Sequence, residues 1–104
     1  MPIESQLTAA RCARMGESGL WFNRLIIDYL DETASTAPDR LAIVEHNSET
    51  RRQTRLSYGE LQQRSKIIAL NLLRSGVGEG DVVAVQLPNW WHYAAVYCAC
   101  VRIG

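Results

Sequence analysis

Apolar residues recur along this chain with a period that changes from segment to segment. Between residues 21 and 36, Leu25, Ile26, Tyr29, Leu30 and Thr33 or Ala34 stand three and four apart. That spacing predicts a helix with those side chains on one face, and it puts Asp28, Asp31 and Glu32 largely on the other. Pro38 and Asp39 stop the helix. Residues 41–46, Leu-Ala-Ile-Val-Glu-His, are short and branched and read as a strand. Residues 47–53 are polar and form a turn, and residues 54–57 return as a second strand, giving a hairpin with a longer loop. Ser57-Tyr58-Gly59-Glu60 is a capping box: the serine oxygen accepts the Glu60 amide and the Glu60 carboxylate reaches back to the Ser57 amide. Behind it Leu61, Ile68 and Leu72, flanked by Ile67, Ala69 and Leu73, form a helical stripe up to Ser75. Gly76 then stands where a left-handed C-cap is wanted.

Residues 82–87, Val-Val-Ala-Val-Gln-Leu, predict a strand of the kind buried on both faces of a parallel sheet. Pro88 and Asn89 end it, and Asn89 is placed to cap the next helix. That helix, residues 90–103, is apolar nearly all round, with only His92 and Arg102 breaking the pattern. A helix without a polar face demands cover on every side. Two other helices and three strands are too few to supply it. The pattern therefore predicts an α/β fold: a β-hairpin followed by one β-α-β unit, incomplete, with the missing cover in further polypeptide. Residues 1–18 carry no strong periodicity and read as a loosely ordered leader or a short surface helix. Residues 19–104 form the partial domain.

Composition narrows the partners more than the fold. The 104 residues are 47% hydrophobic and 21% charged, an ordinary globular balance for one domain at most. Eleven basic residues offset eleven acidic ones, so no global field draws the chain to nucleic acid or to an anionic membrane. The longest apolar run, residues 93–101, is about half of a membrane span. The first eighteen residues lack a secretory apolar core, and their Glu4 and Glu17 are unlike a transit peptide.

Candidate chemistry is thin. Cys12, Cys98 and Cys100 are odd in number and lack C-x-x-C spacing. On a helix Cys98 and Cys100 point about 200° apart, so they share neither a metal nor a disulfide. All three read as reduced thiols of a cytoplasmic protein, two of them small core residues. His46 and His92 have no partners at metal spacing. Arg51, Arg52 and Arg55 beside Glu49 read as a solvated loop rather than an anion site. The alternating glycines Gly76, Gly78 and Gly80 invite a phosphate-loop reading, but such a loop follows a strand and opens a helix. Here a helix ends and a strand begins, so a helix stop and tight turn is preferred. Lys66 lies mid-helix and reads as solvated. Trp90, Trp91, Tyr93 and Tyr97 read as core aromatics rather than the walls of an acyl pocket.

Five motifs in order resemble one family. Pro38-Asp39-Arg40-Leu41-Ala42-Ile43-Val44, Leu56-Ser57-Tyr58-Gly59-Glu60-Leu61, Gly76-Val77-Gly78-Glu79-Gly80-Asp81-Val82-Val83, Gln86-Leu87-Pro88-Asn89-Trp90-Trp91 and Ala99-Cys100-Val101-Arg102-Ile103-Gly104 are similar to successive segments of AMP-forming acyl-CoA synthetases. The match runs from about Trp21 to the last residue. Its details lean toward bacterial short- and medium-chain and cyclohexanecarboxylate-CoA ligase-like enzymes, with His92-Tyr93 departing from the Glu-Phe frequent there. The resemblance implies the opening of the large N-terminal domain of an adenylate-forming ligase, in fatty acid metabolism. Such an enzyme uses ATP, Mg2+ and CoA to convert a carboxylic acid to acyl-AMP and then to a thioester. Alternatives are an aryl-acid adenylating enzyme that loads a carrier protein, and a non-catalytic truncated α/β interaction module. The implied partners are the remainder of the polypeptide, a small carboxylic acid, ATP and CoA, with no nucleic acid and no membrane span. The phosphate loop and catalytic lysine of the family have no counterpart in this sequence, so no catalytic, cofactor-binding or metal residue is assigned.

Overall fold

In a computed structural model the structure describes residues 7–104, so the first six residues of the leader segment lie outside the described residues. Local sequence signals account for most of the elements. Thr8 caps α1 (Ala9–Glu17) by accepting the Arg11 amide, and no side chain of this helix is buried. Helix α2 spans Ile26–Thr36, five residues shorter at its start than the apolar spacing predicts. Its entry is fixed by Asp28, whose carboxylate accepts the Leu25 amide at 2.7 Å, half of a capping box in which leucine cannot return the bond. Its buried stripe is Ile27, Leu30 and Ala34. Leu25, Ile26 and Tyr29, predicted on the inner face, are exposed. The inner stripe is thus rotated, because Ile27 rather than Ile26 reaches the neighbouring helices.

Strands β1 (Leu41–His46) and β2 (Gln53–Ser57) pair antiparallel, with a bulge between Leu41 and Ile43. In their connection Asn47 Oδ1 accepts the amides of Glu49 and Thr50, each at 3.0 Å. Ser57 and Glu60 form the predicted capping box, at 3.2 and 2.8 Å, at the head of α3 (Tyr58–Arg74). Gly59 docks there on Pro38: its amide donates to the Pro38 carbonyl at 2.9 Å. A Cβ at Gly59 would lie 3.2 Å from that oxygen, so a larger residue crowds the junction. Gly76 has φ +91°. Its amide and that of Val77 donate to the carbonyls of Leu73 and Leu72, which is the six-residue helix stop that a left-handed glycine permits.

Helix α4 (Trp91–Ile103) packs mainly against α3 and also touches α2 and β1. Ala95 and Ala99 are wholly buried at these contacts, letting the backbones approach closely. Ile27, Leu30, Leu61 and Ala95 form the core cluster, with Ile43, Ile68, Trp91, Cys98 and Val101 packed around it. Burying each of the larger aliphatics contributes roughly 1.5–3 kcal/mol. The other side of α4 is open: Trp90, Tyr93 and Tyr97 are 38, 46 and 48% exposed. The surface totals 8292 Å² where a closed domain of this mass has about 5900 Å². The radius of gyration is 16.7 Å against about 13 Å for a compact chain of this length. The α/β character is present, but the only ladder among the described residues is the hairpin. Residues 82–87 form no ladder, since no second strand of the described chain lies beside them.

Candidate functional site

The polar groups of the interior converge on Arg102, the lone cation of an otherwise apolar helix. Its guanidinium donates to both oxygens of Asp31, at 2.9 and 2.7 Å, and more weakly to Ser65 Oγ at 3.3 Å. Gln62 Nε2 donates to Asp31 at 2.9 Å, and Ser65 Oγ donates to the Gln62 carbonyl at 2.8 Å. Three helices are tied by this fork–fork pair and its satellites. The Arg102 hydrogen bonds hold the Asp31 carboxyl down to about 2. Asp31 is therefore not the solvent-face residue that periodicity predicts. It lies one turn from Ile27 on the buried stripe, and the signal for it was Arg102: a charge in an apolar helix requires a counter-ion. The Arg102 Nε remains without a partner.

A second constellation joins the hairpin to the start of α4. Asn89 does not cap this helix; Trp90 occupies the N-cap position without a side-chain bond. The carboxylate that satisfies the helix start comes from β1: Glu45 accepts the Trp91 amide at 2.7 Å. An anion there also meets the positive end of the helix dipole. Trp91 stacks on His92, with centroids 3.7 Å apart, and the Arg64 guanidinium lies 4.8 Å from the Trp91 ring centre. A cleft of about 360 Å³ beside it is lined by Ile43, Glu45, His46, Asn89, Trp90 and Trp91.

The residues weighed as chemistry from sequence are not brought together. Cys12 is exposed, whereas Cys98 and Cys100 are half-buried, and burial pushes the Cys98 thiol up. His46 meets Gln53 at 3.2 Å, and Lys66 is exposed at the rim of a cleft between α3 and α4. Among the described residues no group of three or more His, Cys, Asp or Glu is placed to hold a metal ion. The glycine turn does not suit nucleotide phosphates. The Gly78 amide is taken by the Asp81 carboxylate at 2.8 Å and the Gly80 amide by the Gly104 carbonyl at 3.0 Å. An acidic group already seated on that amide repels a phosphate rather than receiving it. The aromatics divide: Trp91 packs on the core, while Trp90, Tyr93 and Tyr97 do not.

Hairpin, capped helix, glycine stop and apolar helix follow one another in that order, consistent with the start of an adenylate-forming domain. Residues 30–104 match the family described as AMP-binding enzyme. The chain is 40% identical over 91 residues to a salicylyl-CoA synthase / salicylate adenylyltransferase of Streptomyces sp, covering 88% of this chain and 15% of that protein. It is 30% identical over 104 residues to a medium-chain fatty-acid–CoA ligase of Escherichia coli (strain K12), covering 100% of this chain and 18% of that protein. It is 35% identical over 96 residues to a salicyl-AMP ligase / salicyl-S-ArCP synthetase of Mycobacterium tuberculosis, covering 92% and 17%. The chain belongs to the AMP-binding enzyme family, and it spans less than a fifth of the length of these relatives.

Proposed function

We propose that this chain is the N-terminal scaffold of an enzyme that activates a carboxylic acid with ATP, giving acyl-AMP and pyrophosphate, and passes the acyl group to CoA. Family membership carries this reading: the match over residues 30–104 coincides with the ordered motifs read from the sequence. On this reading residues 82–87 pair with neighbouring strands of the rest of the same polypeptide. ATP, Mg2+, CoA and the acid are held elsewhere in that polypeptide, in the cytoplasm. The described residues contribute no step of the chemistry. They supply a rigid wedge, in which the Asp31–Arg102 pair and the Glu45 cap fix α4 against α2, α3 and the hairpin.

A second reading is adenylation of an aryl acid, with delivery to a carrier protein. It is favoured by the 40 and 35% identities to enzymes named for salicylate, both above the 30% identity to the medium-chain fatty-acid ligase. The test is acid-dependent ATP–pyrophosphate exchange by the full-length gene product, over aryl, alicyclic and medium-chain acids. Product capture with CoA or with a carrier protein then separates the acceptors. Exchange with some carboxylic acid supports adenylation; no exchange with any member of the panel counts against it.

A further inference from the structure

We draw no further inference here: the strongest candidate, the cleft of about 460 Å³ between α3 and α4 lined by Lys66, Leu70, Leu73, Glu79, Arg102 and Ile103, is open on a chain that spans less than a fifth of the length of its relatives, and nothing in the structure shows what covers it.

Discussion

Replacing Arg102 by methionine keeps an apolar stem between α3 and α4 but strips Asp31 of two charge-assisted hydrogen bonds. The size of the loss can be worked from burial. Arg102 is 19% and Asp31 38% exposed, so the pair lies between a solvated surface pair, worth under about 1 kcal/mol, and a fully buried one, whose breaking costs about 3–5 kcal/mol. The displacement of the Asp31 carboxyl from 3.8 to about 2 is worth about 2.5 kcal/mol at face value. Its exposure reduces that through solvent screening, leaving about 1–2 kcal/mol for the pair. Urea unfolding of the parent, Arg102→Met, Asp31→Asn and the double variant measures it as a coupling energy. The pH arm has a definite sign. Because the folded carboxyl titrates lower than the unfolded one, the contribution is complete above the unfolded value near 3.8 and is lost as pH falls toward 2. Arg102→Met should flatten that acid limb. Additive single variants, or an unchanged acid limb, would refute the idea that this pair fastens the three helices.

Glu45→Ala removes the carboxylate that satisfies the Trp91 amide, and should cost about 1 kcal/mol in urea unfolding while leaving the hairpin intact. Retained stability would mean that water satisfies this helix start equally well. Gly76→Ala forces a Cβ into φ +91° and should cost about 1–2 kcal/mol, with fraying confined to the C-terminal turn of α3 in amide exchange. For the thiols, a disulfide reagent at neutral pH should modify exposed Cys12 well before Cys98, whose thiol burial holds in the protonated form. Equal rates would show that α4 opens faster than the reagent reacts.

Signals that act within a few residues were legible before any coordinates. The Ser57–Glu60 box needs only three residues of separation, and the left-handed Gly76 only the end of a helix beside it. Strand β1 falls on the residues that its branched composition indicates. What was not legible depends on distant partners. Periodicity could not tell Ile26 from Ile27 as the inward residue, since neighbouring positions on a helix differ by about 100° and only the position of α3 and α4 selects one. Asp31 and Arg102 stand 71 residues apart. Glu45 stands 46 residues from the amide it caps, so Asn89 was the natural local candidate for that role. The site itself carried one usable hint, an arginine in an apolar helix, which required an acid somewhere. The open side of α4 was legible for the same reason: Trp90, Tyr93 and Tyr97 exceed what the described elements can cover.

On the proposed reading these residues build a frame and hold no nucleotide. Titration of the 104-residue chain with Mg-ATP, followed through amide chemical shifts, tests it most directly. No saturable shift is expected anywhere, and least of all at Gly78 and Gly80, whose amides are already bonded within the chain. Saturable shifts centred on that glycine turn would contradict it.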